Sequence, residues 1–142
     1  MKVKELMTDN VIAIGREETV SVAARALSRY KIGVLPVQTK DGEVCGIVTD
    51  RDIVTRCLAA DRAPERTTVN EIMTTRVHSV SPDMDASLAA HMMGRQQIRR
   101  LPVVENGKLC GMLSLGDLAG QEESAYDAAD AFSEISNGIS SR

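Results

Sequence analysis

The stretch that decides the fold reads IGVLPV over residues 32–37 and GEVCGIVTDRD over residues 42–52. Two apolar runs on either side of an Asp-Gly turn predict a β-hairpin. Thr49, followed three residues later by Asp52, has the pattern of a capping box. The second strand should therefore lead directly into a helix, expected to extend from Asp50 to about Leu58.

The same stretch occurs a second time, as IRRLPV over residues 98–103 and GKLCGMLSLGD over residues 107–117. Upstream, VKELMT at 3–8 matches VNEIMT at 69–74, and SVAA at 21–24 matches SLAA at 87–90. The offset is 66 residues before the turn and 65 after it, so the chain is an internal duplication. We expect repeat 1 at residues 1–60, a linker at 61–68, repeat 2 at 69–120 and a C-terminal helix or tail at 121–142.

Each repeat is predicted to have the order β-α-β-β-α. The first strands should lie at residues 11–14 and 77–80, and Thr19 and Asp85 should begin the helices that follow them. Two copies are too few for a solenoid, so their apolar faces should pack against each other about a pseudo-twofold axis. The tail should form an amphipathic helix, docked on the domain or on a partner, since apolar residues recur there at helical spacing: Ala125, Ala128, Ala129, Phe132 and Ile135.

Composition excludes several classes of protein. Aromatic residues make up only 2% of the chain and the formal net charge is −3, which disfavours a nucleic-acid-binding module. No apolar run reaches the ~18 residues of a membrane span, and no apolar leader follows Met1, so we expect a cytoplasmic protein. Three cysteines without a Cys-x-x-Cys motif indicate reduced thiols and argue against a zinc site.

The ordered set Leu-Pro-Val, a glycine turn and Gly-Ile-Val-Thr-Asp-Arg-Asp, occurring twice at this spacing, resembles the CBS (cystathionine-β-synthase) domain. Tandem pairs of this domain are called Bateman modules, and the resemblance covers residues 2–119. It implies an α/β fold of two CBS repeats packed face to face, with clefts between them, and a homodimer of such modules. It also implies no obligatory cofactor but a regulatory adenosine-containing ligand such as AMP, ADP, ATP, NAD or S-adenosylmethionine, with AMP or ATP favoured.

The motif at Thr49 and Asp52, with its copy at Ser114 and Asp117, has two interpretations. The residues alone favour a capping box, in which the hydroxyl and the carboxylate bond to backbone N–H groups. The resemblance implies instead that the aspartate holds a ribose and that the Thr or Ser lies near a phosphate.

The residues before each Leu-Pro differ between the repeats. Arg99 and Arg100 in repeat 2 replace Gly33 and Val34 of repeat 1. Adjacent arginines are most often solvated surface, but Arg also suits phosphate recognition. The resemblance implies pockets built across the pseudo-twofold axis, one with Gly33 and Val34 framing an adenine whose ribose Asp117 holds, and one with Arg99 and Arg100 near Asp52. The two sites are therefore expected to be unequal.

The sequence thus predicts a regulatory sensor that binds an adenosine ligand and modulates an unknown protein in trans. The alternative is a ligand-free dimeric interaction scaffold. An enzyme is not expected, because no nucleophile–base pair, metal-ligand cluster or P-loop is recognisable. The predicted ligand-binding residues are Ile12, Gly33, Val34, Pro36, Thr49, Asp52, His78, Arg99, Arg100, Pro102, Ser114 and Asp117.

Overall fold

The computed structural model describes residues 1–140, with side chains to residue 138. The last two residues of the predicted tail, 141 and 142, lie outside the described part. The fold is mixed α/β with two small sheets and a C-terminal helix, as the sequence predicted. The chain divides into two compact units, one made of residues 12–77 and the other of residues 1–11 together with residue 78 onward.

The unit of residues 12–77 is built on a three-stranded sheet in the order β1-β2-β3, with β1 parallel and β3 antiparallel to β2. Its core comes from the apolar faces of these strands and of the helix between them. Its elements are β1 (Ile14–Gly15), α2 (Val20–Tyr30), β2 (Val34–Gln38), β3 (Val44–Thr49), α3 (Asp50–Asp52), a π-helical segment continuing α3 (Ile53–Leu58), and α4 (Val69–Ile72).

The other unit is built on the antiparallel pair of β4 and β5. Its core is closed by three helices and by the short helix at the start of the chain. Its elements are α1 (Val3–Leu6), α5 (Ala86–Gln96), β4 (Arg100–Glu105), β5 (Lys108–Ser114), α6 (Leu115–Ala119), a 3₁₀ turn (Glu122–Ser124), and α7 (Ala125–Ser140).

The predicted hairpins and helix caps are confirmed, but the predicted first strands are too long. The Thr19 hydroxyl accepts from Val22 N at 3.3 Å, and the Asp85 carboxylate accepts from Ser87 N at 2.9 Å. The run at 11–14 pairs only from Ile14 onward, and the run at 77–80 pairs only at Val80.

Proline explains both short strands. Ile14 pairs with Val37 and Val80 pairs with Val103, so the next rung of each parallel ladder would need an N–H from Pro36 or Pro102. Proline has no N–H to donate, and the ladder therefore ends at that rung.

The segment after α4 lies directly on the hairpin of its unit. Ile47 N donates to Thr74 O at 2.9 Å, and Thr74 N donates to Ile47 O at 2.8 Å. Gly46 permits this approach, because a Cβ there would lie 2.6 Å from Met73 Sδ and 2.9 Å from Thr74 O. Residues 69–74 open repeat 2 in the sequence, yet they belong to the unit that holds the strands of repeat 1.

The segment after α1 has the equivalent place in the other unit. Thr8 N donates to Met112 O at 2.9 Å, and Met112 N donates to Thr8 O at 2.8 Å. A Cβ at Gly111 would lie 2.5 Å from Met7 Sδ and 3.1 Å from Thr8 O. Each hairpin is therefore covered by the opening segment of the other repeat, which is why the compact units and the sequence repeats have different boundaries.

The tail forms a helix as predicted, but with a different buried face. Ala128, Ala131 and Ile135 are buried where α7 packs on α5 and α6. Phe132, predicted on the docked face, remains 51% exposed, and Ala129 is exposed as well. The docked face is thus rotated from the predicted one, leaving Phe132 at its margin. Within residues 1–140, no helix is long and apolar enough to cross a membrane.

We expect Gly46→Ala and Gly111→Ala each to lower the free energy of unfolding by about 1–3 kcal/mol, because the added methyl meets a backbone carbonyl and a methionine. Gly120→Ala is the matched control, since Gly120 has φ −73° and its Cβ would meet nothing closer than 3.5 Å. Urea denaturation of the three variants measures the difference. Equal stability of all three would contradict the steric role of the two strand glycines.

Candidate functional site

Each hairpin ends in a reciprocal capping turn. Asp52 N donates to Thr49 Oγ1 at 3.0 Å, and Thr49 N donates to Asp52 Oδ2 at 3.1 Å. In the second copy, Asp117 N donates to Ser114 Oγ at 3.0 Å and Ser114 N donates to Asp117 Oδ2 at 2.8 Å. The capping interpretation of the sequence is therefore confirmed in both repeats.

Asp52 has further partners within its unit. The Thr74 hydroxyl lies 3.3 Å from both carboxylate oxygens, and Arg56 Nε lies 3.8 Å from Oδ1. Arg56 also donates to the backbone carbonyls that close α4, at Ile72 and Met73. The Asp52 side chain is buried, and both of its oxygens are already occupied by protein donors. Asp52 thus ties the capping turn to the segment that crosses the hairpin.

Asp117 lacks these additional partners. Gln121 stands at the position that corresponds to Arg56, and Thr8 stands at the position of Thr74. Among the residues that the structure describes, neither bonds to Asp117, and Oδ1 of Asp117 accepts no hydrogen bond. The carboxylate is only partly buried. One oxygen of Asp117 is thus available to a hydroxyl donor from outside the protein.

The strand that opens each hairpin lies beside the capping turn of its own unit. Leu115 N donates to Arg99 O at 2.8 Å, and Arg100 pairs with Ser114 across the ladder. The same arrangement places Gly33 and Val34 beside Thr49 and Asp50. The structure thus brings the arginine pair beside Ser114 and Leu115, at the start of the capping turn. The predicted pairing of those arginines with Asp52 joins residues of different units and stays a prediction.

An open cavity of about 540 Å³ lies between this arginine pair and α7. The Arg99 guanidinium carbon lies over the Phe132 ring, 5.7 Å from its centroid. Across the described part of the chain, no carboxylate lies within ion-pair distance of Arg99 or Arg100. The cavity therefore has an unneutralised cationic side. Its lining consists of Arg99, Arg100, Ser114, Leu115, Gly116, Ala119, Ala125, Ala128, Ala129 and Phe132.

The place of Phe132 in this cavity could not be predicted from the sequence, where the residue belongs only to the apolar pattern of the tail. Asp117, in contrast, is not among the lining residues, because its carboxylate turns back toward Ser114 N. Of the other predicted site residues, Pro36 and Pro102 are buried within their strands, while Ile12 and His78 are partly buried. Their contact with a ligand stays a prediction.

Both repeats match a known family. The family model of the CBS domain matches residues 3–59 and 69–124. The chain belongs to the CBS domain family. Paired CBS domains generally act as regulatory, ligand-binding modules. Since the second match ends at residue 124, the whole of α7 lies outside the two matched CBS domains.

Several relatives resemble this CBS domain pair over most of its length. The CBS domain-containing protein YhcV of Bacillus subtilis is 37% identical over 135 residues, covering 95% of each chain. The crystal structure of Hypoxic Response Protein I with two coordinated zinc ions matches with a TM-score of 0.78 at 30% identity, covering 84% of this chain and 98% of that one. The CBS domain pair of protein MJ0100, in complex with 5′-methylthioadenosine and S-adenosyl-L-methionine, matches with a TM-score of 0.74 at 26% identity, covering 84% and 98%.

Metal-ligating and thiol groups of this CBS pair are dispersed. In the described residues, no three His, Cys, Asp or Glu side chains come together as metal ligands. Cys45 and Cys110 each precede a strand glycine and donate weakly to the opposite strand, at Val37 O and Val103 O. Burial raises the pKa of the Cys110 thiol, which keeps it in the protonated, less nucleophilic form. These contacts fit a packing role for both cysteines.

We expect Asp52→Ala to destabilise the protein more than Asp117→Ala. Removing the buried Asp52 carboxylate leaves Thr49 N and the Thr74 hydroxyl without their acceptor and Arg56 without its ion-pair partner, at a cost of about 1–3 kcal/mol. Removing Asp117 costs a single capping bond, about 1 kcal/mol. Urea denaturation of the two variants, each compared with the unmodified chain, measures this difference. A larger loss for Asp117→Ala would contradict the assignment of Asp52 as the structural aspartate.

Proposed function

We propose that this chain is a regulatory sensor that binds an adenosine-containing ligand, with AMP or ATP favoured, and modulates a separate protein. The observation that carries this proposal is that Ser114 and two unneutralised arginines line one cavity, while the Asp117 carboxylate, bonded to Ser114 N, keeps one oxygen free. A ribose offers hydroxyl donors to a carboxylate, and a phosphate offers acceptors to guanidinium groups. A single nucleotide carries both the hydroxyl donors of a ribose and the acceptor oxygens of a phosphate.

The ligand would use the two repeats unequally. We assign the ribose to the free oxygen of Asp117 and the phosphate to Arg99 and Arg100, with Ser114 beside them. Asp52 and Thr49 would act mainly as a structural cap, because their polar atoms are already bonded within the protein. Gly33 and Val34 are retained as proposed contacts of the adenine, and Ile12, His78 and the two strand prolines are retained as proposed ligand-binding residues. The complex of the MJ0100 CBS pair with two adenosine compounds supports this ligand class.

We expect AMP to raise the melting temperature of the chain and to bind with measurable heat. A ligand that binds only the folded state stabilises it by about 2.7 kcal/mol at a concentration of about 100 times its Kd. Asp117→Asn should weaken AMP binding about tenfold or more, because a charge-assisted hydrogen bond is lost. Asp52→Asn is the matched comparison and should change the affinity much less.

Calorimetry with AMP, ATP, NAD and S-adenosylmethionine decides between the proposals. Binding that is insensitive to Asp117→Asn but lost with Asp52→Asn would contradict the assignment of the ribose. No binding of any of the four compounds at millimolar concentration would favour the alternative function, a ligand-free interaction scaffold.

We further propose that the chain forms a homodimer through the helix that follows β3. Val54 and Leu58 are 55% and 52% exposed, and their i, i+4 spacing places them on one face. Two large apolar side chains kept on a helix surface suit a self-association surface better than contact with water. The regulated protein and the cytoplasmic location expected from the sequence stay predictions.

We expect the double substitution Val54→Asp and Leu58→Asp to convert the dimer into a monomer in sedimentation velocity. Burying charge in an apolar interface is strongly unfavourable. Thr55→Asp is the control, since Thr55 is exposed on the same helix between the two positions. A dimer that survives the double substitution would place the interface elsewhere.

A further inference from the structure

The cavity beside Arg99 has a wall that the CBS repeats do not supply. Phe132 lies on α7, beyond residue 124, where the family match ends. Its ring lies under the Arg99 guanidinium carbon, with 5.7 Å between that carbon and the ring centroid. Both side chains line the same cavity. The aromatic ring and the cationic group thus meet at the edge of a space large enough for a small ligand.

The guanidinium group can make two kinds of contact at once. It stacks through its flat face on an aromatic ring, and its five N–H donors point outward in its own plane. A ring beneath Arg99 therefore restricts the orientation of the group without using its donors. Among the described residues, Arg99 donates no side-chain hydrogen bond and faces no carboxylate at ion-pair distance. The donors of Arg99 remain available for an acceptor in the cavity.

We propose that Phe132 is a positioning residue that holds the Arg99 guanidinium in the orientation in which it binds the phosphate of the ligand. This inference rests on the proposed function and adds a residue of α7 to the binding site. A side chain whose orientation is already fixed loses less conformational freedom when the ligand binds. Phe132 would therefore strengthen the contact between Arg99 and the phosphate without itself contacting the ligand.

The two repeats differ in this respect. Gly33 stands at the position that corresponds to Arg99, so repeat 1 has neither the guanidinium nor an aromatic support for it. The other unit has both the guanidinium and the aromatic ring. There the space beside Arg99 is kept open by small residues of α7, namely Ala125, Ala128 and Ala129. The contact between Arg99 and Phe132 thereby joins the proposed phosphate site to the C-terminal helix. Binding of a ligand to Arg99 would therefore change the contacts of α7 directly.

The test compares AMP with adenosine, which lacks the phosphate, by calorimetry on the full chain. Phe132→Leu keeps an apolar side chain but removes the ring, and we expect it to weaken AMP binding about two- to fivefold. Adenosine binding should not change, because the role of Phe132 acts only through the phosphate. Arg99→Lys should weaken AMP selectively as well, since an ammonium group offers no planar fork. Tyr126→Leu is the matched control, an aromatic residue on the same helix that is 86% exposed and does not line the cavity.

Other results would overturn the inference. Equal weakening of AMP and adenosine by Phe132→Leu would mean that the ring contacts the nucleoside or supports the fold. Unchanged AMP binding would mean that the ring does not position Arg99. If the unmodified chain bound neither adenosine nor any of the four compounds named above, the proposed function would fail, and pyrophosphate would then test the arginine alone. Weaker pyrophosphate binding by Phe132→Leu than by the unmodified chain would support the positioning role, whereas equal or absent binding would contradict it.

Discussion

The close passage of one chain segment over each hairpin is the constraint on which the rest of the structure depends. Gly46 and Gly111 leave room for a methionine and a backbone carbonyl where any side chain would collide. Two reciprocal backbone hydrogen bonds then fix each crossing, at Ile47 with Thr74 and at Met112 with Thr8. Because the crossing segments come from the opposite repeats, neither compact unit can be completed from one repeat alone. A duplication that began as two copies has become a single interdependent chain.

The crossing segments also account for the different surroundings of Asp52 and Asp117 on the same backbone arrangement. The crossing carries Thr74 to the Asp52 carboxylate, where Arg56 completes the set of donors. In the other unit, the same crossing carries Thr8 into the equivalent region, but its hydroxyl does not bond to Asp117 and Gln121 replaces the arginine. A buried carboxylate with all its acceptor sites used adds stability, whereas a partly exposed one with a free oxygen can exchange water for a ligand. Stability and recognition can therefore be divided between two copies of one motif.

Local features of this structure followed from the sequence because they depend on neighbours in the chain. The hairpin turns, the caps at Thr19 and Asp85 and the boxes at residues 49–52 and 114–117 all involve residues within a few positions of each other. The extent of the first strands was wrong because it depends on a distant proline in the neighbouring strand. The residue opposite Arg100 could not be predicted from the length of the turn. A register shift between Val103 and Val104 sets Arg100 opposite Ser114 rather than Leu113. The buried face of α7 could not be chosen from its pattern alone, since alanines lie on several sides of that helix.

The environment of Arg99, a residue that differs between the two repeats, depends on α7, which lies outside the duplication. Without Phe132, the structure would give the Arg99 guanidinium no described partner. Here α7 packs on α5 and α6, and that packing sets Phe132 under the guanidinium and encloses space beside it. The energy that holds α7 comes from the buried residues Ala128, Ala131 and Ile135, of which Ala131 and Ile135 do not line the cavity. The helix can thus be anchored by one face and shape the cavity with another. A ligand that contacts Arg99 would thereby act on α7 through the contact of Arg99 with Phe132.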